Sequence, residues 1–177
     1  MTETGVSPNQ GHSAVRELLE RCLGQVVGRS VVVVERGPVT AFADAILDLD
    51  PVYRVPAQAN AYGFTSLPAP PTFPVAMEHW GGFPELQPRS QGSNLVVTLV
   101  GRLLAEGGSI LLAGQEFTYN RPVVVGDVLV GESRMIDGHM RRVMASTLTF
   151  LVIEATWTDR SSGDLVVTVR STYVHHR

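Results

Sequence analysis

A chain of 177 residues, 44% apolar and 18% charged, has the composition of one soluble globular domain, long enough to bury a core. The net charge of −3 argues against nucleic acid as a main partner, because phosphate binding needs a basic excess. All 14 basic residues are arginines, which rules out lysine Schiff-base chemistry, and the single cysteine, Cys22, rules out a disulfide framework or a cysteine-rich zinc site within the chain.

Residues 1–13 are polar and rich in Gly, Ser, Asn and Gln, which predicts a disordered tail without the apolar stretch of a signal peptide. A helix is predicted over residues 14–24, capped by Ser13, with Val15, Leu18, Leu19, Cys22 and Leu23 on one stripe. A thiol in such a stripe reads as a buried small hydrophobe and fits a reducing cytoplasm. No apolar run approaches the ~20 residues needed to cross a bilayer. Residues 31–35 read as a short strand, and Gly37-Pro38 breaks it before a helix over 39–47.

Residues 48–71 hold five prolines and little hydrophobic period, so they form a long loop, and loops of that length in compact domains are seldom idle. Pro70 and Pro71 preset a third helix over 72–80, ended by Gly81-Gly82. Residues 94–105 carry β-branched side chains, yet Asn94 as a cap and the spacing of Val96, Leu99 and Leu103 favour a helix. Four β-type runs follow at 110–120, 128–136, 142–158 and 165–175, with Asp137-Gly138 as the signal for a hairpin between the second and third. Alternation within them sets one buried face and one wetter face, with Leu148, Phe150 and Val152 opposing Thr147 and Thr149. Helices crowd the first half and strands the second, an α+β order with one sheet laid over helices.

Four segments carry a resemblance. They are Asp48-Leu49-Asp50-Pro51-Val52-Tyr53, Gly63 with Ala69-Pro70-Pro71-Thr72-Phe73, the run from Gly114 to Pro122 with Gly126-Asp127, and Gly163-Asp164-Leu165-Val166. In this order they resemble the MaoC-like hot-dog dehydratases and hydratases, over about residues 25–175, and most of all the N-terminal MaoC-like dehydratase branch. The resemblance implies a hot-dog fold, an antiparallel sheet wrapped around a central helix, that pairs into a double hot dog. It implies a single domain over 14–177 whose first helix is an extension. It also implies (3R)-hydroxyacyl thioester dehydration or enoyl thioester hydration, with an acyl-CoA or acyl carrier protein thioester as substrate and no cofactor or metal.

Against the family's Gly-Asp-x-Asn-Pro-x-His loop, Asp48 matches the Asp, Leu47 stands for the Gly, Asp50 for the Asn and Tyr53 for the His. Syn elimination needs a base, an acid and a donor for the enolate oxygen. By resemblance Asp48 and Tyr53 are the catalytic positions, with the imidazole missing, while Pro71, Thr72 and Phe73 at the helix start bind the substrate carbonyl. Read as residues alone, Asp48 is an acid or a helix-end residue, Asp50 a turn residue, and Tyr53 a hydrogen-bond donor or a space-filler whose pKa near ~10 keeps it protonated. Arg121 binds a phosphate of the carrier or pairs with Asp127. None of the histidines, at 12, 79, 139, 175 and 176, has an Asp at catalytic spacing, and His175 and His176 read as a frayed end. The resulting expectation is a dehydratase-type subunit lacking its histidine, a homodimer or a heterodimer with a His-bearing hot dog. The alternatives are a hot-dog acyl-CoA thioesterase and a non-enzymatic acyl-binding dimer, with no nucleic acid or membrane partner and a cytoplasmic location.

Overall fold

The computed structural model describes residues 8–89, 94–144 and 146–177, so residues 1–7 of the expected tail lie outside the described residues. Helix α1 (Pro8–Cys22) starts earlier than expected, taking in residues 8–13 that the composition assigned to the tail. Proline at its first position costs nothing, since that amide lacks an intrahelical acceptor anyway. Strand β1 (Val26–Val33) and helix α2 (Arg36–Ala45) each begin before their expected limits.

The remaining strands are β2 (Ser109–Tyr119), β3 (Val128–Val143), β4 (Ser146–Asp159) and β5 (Leu165–His176). All pairings are antiparallel and the order across the sheet is β1-β3-β4-β5-β2, the α+β arrangement the sequence indicates. The Asp137-Gly138 hairpin is a misreading. Both residues lie inside β3, which continues to Val143, and the turn falls after it at Met144. The local signal is instead spent beside a bulge, where the β3–β4 register shifts between Met135 and Asp137. Gly138 lets α1 come close there, since a Cβ would press on the side-chain ends of Met135 and of Leu19 in α1. A second bulge shifts β2 between Leu112 and Gly114. The two bulges lie about one residue row apart and crease the sheet, since each increases local bend and twist.

On either side of that crease the inner face carries its own core. One is built from Val32 of β1, Val39 of α2, Leu129 of β3, Trp157 of β4 and Val167 of β5, with Phe73 and Met77 inserted from above. The other joins Val15, Leu19 and Cys22 of α1 to helix α5 (Leu95–Ala105) through Val96, Leu99 and Leu103, over Met135 and Leu151. Asn94 caps α5 as expected, accepting from the amides of Val96 at 2.9 Å and Val97 at 3.4 Å. The face assignment along β4 is inverted: Thr149 and Leu151 are buried, while Leu148, Phe150 and Val152 lie half-buried on the outer face. Pairing fixes this phase, because Trp157 must point inward to lie over Gly131, leaving no room there for a Cβ.

The expected helix over 72–80 is a 3-10 turn at Phe73–Val75 followed by the five-residue α4 (Met77–Gly81). Pro74 removes one amide from that turn and Thr72 provides no side-chain cap, so no continuous helix forms. The segment still occupies the inner face, with Phe73 meeting Phe42 edge-on at 5.5 Å between ring centres. Among the described residues no helix is long and apolar enough to cross a membrane.

Candidate functional site

Helix α2 delivers the chain into the loop that carries Asp48. The Asp48 amide donates to Ala43 O at 2.9 Å and the Leu47 amide to Asp44 O at 3.0 Å. This is a Schellman end, which requires a left-handed residue at Leu47, and Leu47 has φ 59°. A leucine thus stands where glycine is the usual choice, and its side chain is 82% exposed. The Asp48 backbone is the helix stop, as one sequence reading allowed, and its Oδ1 accepts from the Asp50 amide at 3.1 Å. Asp50 caps a 3-10 turn at Pro51–Tyr53 by accepting from the Val52 amide at 2.9 Å, so it is a turn residue.

That turn aims Tyr53 into a cleft of about 340 Å³. Burial raises the Tyr53 pKa above its ordinary value, and the neighbouring Asp48 and Asp50 carboxylates raise it further. Tyr53 is therefore a proton-bearing donor at neutral pH and cannot take the part of a neutral imidazole base. Helix α3 (Pro56–Ala61) buries Ala59 against Val52 and Leu67, with Tyr53 and Phe64 packed on that small core.

The opposite wall is the end of β2 and the turn after it: Tyr119, Asn120, Arg121, Pro122 and Val123. The walls are cross-tied, with Ala69 N–H to Val123 O and Val125 N–H to Leu67 O, both 2.8 Å, and a bridge between Pro68 and Val124. Tyr119 donates its hydroxyl to Pro71 O at 2.6 Å, and burial pushes its pKa up to about 12. Sequence reasoning missed Tyr119. The signal was its alternation with Thr118 and Asn120, which turns its ring inward just before Pro122.

The predicted site residues divide into three groups. Asp48 and Tyr53 are brought together, and Tyr53 and Pro71 line the same cleft. Of the two amides expected at the helix start, Phe73 N–H is spent on Pro70 O at 2.9 Å. The Thr72 amide has no acceptor among the described residues. The helix is too short to lend it much dipole, and the Phe73 side chain is a core residue. Arg121 pairs with Asp127, the alternative to a phosphate contact. Nη1 lies 2.8 Å from Asp127 Oδ2 and Nη2 lies 3.1 Å from Oδ1, while Nη2 also reaches Asp159 Oδ2 at 2.8 Å. Its guanidinium is held as a clamp between the two carboxylates, and the residue also lines the cleft.

No histidine lines the cleft among the described residues. His79 is exposed on α4. His139 stacks on Phe150 at 4.9 Å on the outer face, with Nδ1 3.1 Å from Asp137. His175 is not frayed; it is buried in β5, with Nε2 donating to Gly107 O at 2.8 Å. No group of three or more His, Cys, Asp or Glu is placed to hold a metal among the described residues.

Residues 21–169 match the family model described as FAS1-like, dehydratase domain region. A UPF0336 protein of Thermobifida fusca (strain YX) is 32% identical over 104 residues, a match that spans 59% of this chain and 60% of the relative's length. In fold, the chain is similar to the ChsH1-ChsH2 complex from Mycobacterium tuberculosis, with TM-score 0.70 and 16% identity over 96% of this chain and 92% of that one. It is also similar to the C-terminally truncated HadBC (3R-hydroxyacyl-ACP dehydratase) complex from Mycobacterium tuberculosis, with TM-score 0.62 and 20% identity over 86% of this chain and 96% of that one. At these identities the structural likeness carries the hot-dog fold alone.

Proposed function

This chain belongs to the family of FAS1-like dehydratase domain regions, and from that premise we propose that it is a hot-dog subunit for (3R)-hydroxyacyl thioester dehydration or enoyl thioester hydration, acting beside a partner that supplies the histidine. The observation that carries this reading is the content of the cleft. It offers a phenol, Tyr53, whose proton is held more tightly by burial and by the nearby Asp48 and Asp50 carboxylates, in a mostly apolar lining with no imidazole among the described residues. Syn elimination at neutral pH needs a group that takes and returns a proton near that pH, and a phenol with a raised pKa is not one. The acyl tail sits between Tyr53, Phe64 and Tyr119, and the Tyr53 phenol, kept protonated beside Asp48, donates toward the thioester or hydroxyl oxygen.

The pairing surface in this reading is β2. It pairs with β5 on one side only, runs 11 residues, and exposes Leu111 at 58% and Leu112 at 52%. An edge strand of that length without proline or lysine is suited to pairing with another sheet edge. The two fold neighbours named above are themselves complexes.

The test is hydration of crotonyl-CoA and longer enoyl-CoA thioesters by the purified chain, alone and with the hot-dog protein that co-purifies from the native source. The expected result is negligible turnover alone and turnover with the companion. Robust turnover by the chain alone that disappears in Asp48→Asn refutes the non-catalytic assignment, and release of free thiol from saturated acyl-CoA supports a thioesterase instead.

A further inference from the structure

The cleft's walls and charges say which acyl tail it takes. Its 340 Å³ is room for roughly eleven groups of about 30 Å³ each. Three aromatic rings, Tyr53, Phe64 and Tyr119, and three prolines, at 68, 71 and 122, make up most of the lining. Proline fixes its own backbone and aromatic rings have few rotamers, so these walls yield little. The two sides are also tied together by the Tyr119–Pro71, Ala69–Val123 and Val125–Leu67 hydrogen bonds. A pocket held in this way fills to a limit and does not expand around longer chains.

Its charge is equally defined. Arg121 is the only cationic side chain in the lining. Both of its terminal nitrogens are engaged, Nη1 by Pro122 O and Asp127, Nη2 by Asp127 and Asp159. Two carboxylates therefore surround one guanidinium, and an incoming anion meets a local excess of negative charge with no free cation to receive it. A buried charge without a partner is strongly disfavoured.

Resting on the acyl reading of the cleft, we infer that this site selects uncharged acyl tails of medium length and rejects tails that end in a carboxylate. The chemical class is a saturated or unsaturated aliphatic acyl thioester, distinct from both long-chain and ω-carboxyl acyl groups.

Calorimetric titration of the full chain with S-acyl pantetheines from butanoyl to hexadecanoyl, and with an ω-carboxyoctanoyl pantetheine, decides this. Affinity is expected to rise about fourfold per methylene, the increment for burying one CH₂. The rise is expected to flatten near about ten to twelve carbons, where the volume is filled. The ω-carboxyl tail is expected to bind at least roughly 30-fold more weakly than octanoyl, because its charge goes unpaired. Asp159→Asn removes one carboxylate from Arg121, so this variant is expected to narrow that discrimination while leaving octanoyl affinity unchanged. A fourfold gain per methylene that continues to sixteen carbons overturns the inference, as does equal binding of the ω-carboxyl tail. Binding of no acyl pantetheine at all overturns the acyl reading itself, and this inference with it.

Discussion

Replacing Leu47 by glycine relaxes backbone strain without removing packing. Leu47 closes the Schellman end of α2 at φ 59° and its side chain is 82% exposed. A left-handed L-residue costs roughly 1–2 kcal/mol through the clash of Cβ with the following carbonyl. Glycine escapes that clash but gives the unfolded chain more freedom, returning about 0.5–1 kcal/mol. The net expected gain is about 0.5–1 kcal/mol, a rise in Tm of roughly 1–4 °C for a domain of this size. Thermal and urea unfolding of the purified variant measure it, the latter with an unchanged m-value. Leu47→Ala is the control: it keeps the Cβ and the clash, so it is expected to stay within about 0.5 kcal/mol of the parent. A Leu47→Gly variant less stable than its parent, or an alanine variant equal to the glycine one, refutes the argument that strain at this position sets the effect.

Three further outcomes follow from the geometry. Arg121→Ala leaves Asp127, buried and facing the Val124 amide, without its cation; allowing for the part of Arg121 that is exposed, the loss is about 2–3 kcal/mol by urea denaturation. Asp159 is held at about 2, below its ordinary range, first by the Ser161 hydroxyl and then by the amides of Ser161 and Ser162, with Arg121 adding to them. Because the folded-state pKa is the lower one, this contribution is complete above about pH 4, the unfolded value, and is lost as pH falls through 2. The urea midpoint of Asp159→Asn is therefore expected to fall less steeply than that of the parent between pH 4 and 2; a parallel decline contradicts the assignment. Gly81→Ala puts a Cβ onto the Val33 carbonyl and the Val32 side chain, and since backbone cannot yield cheaply the variant is expected to lose about 2–3 kcal/mol, read as a drop in the thermal midpoint.

Features fixed by near neighbours were legible in the sequence. Asn94 as the cap of α5, Asp50 as a turn residue and the Arg121–Asp127 pair all involve groups within six residues of each other, and each stands in the structure. The second partner of Arg121, Asp159, lies 38 residues away and left no local trace. Strand identity was visible where the phase was not. Leu148, Phe150 and Val152 look like a buried face, and only pairing with β3 and β5 turns Thr149 inward instead. Asp137-Gly138 showed the reverse problem, a strong turn pair absorbed by a bulge in a longer ladder. The cleft joins residues 52–71 to residues 119–123 across the whole chain, so Tyr119 could not be assigned to it without the sheet order.

The helix that opens the described chain lies almost wholly outside residues 21–169, which carry the family match. Yet its Val15 and Leu19, each at most 2% exposed, complete the core shared with Leu99, Leu103 and Met135. A version trimmed to the borders of kinship would therefore bare a greasy flank and invite clumping. The matched segment therefore leans on a splint that lies outside its own borders.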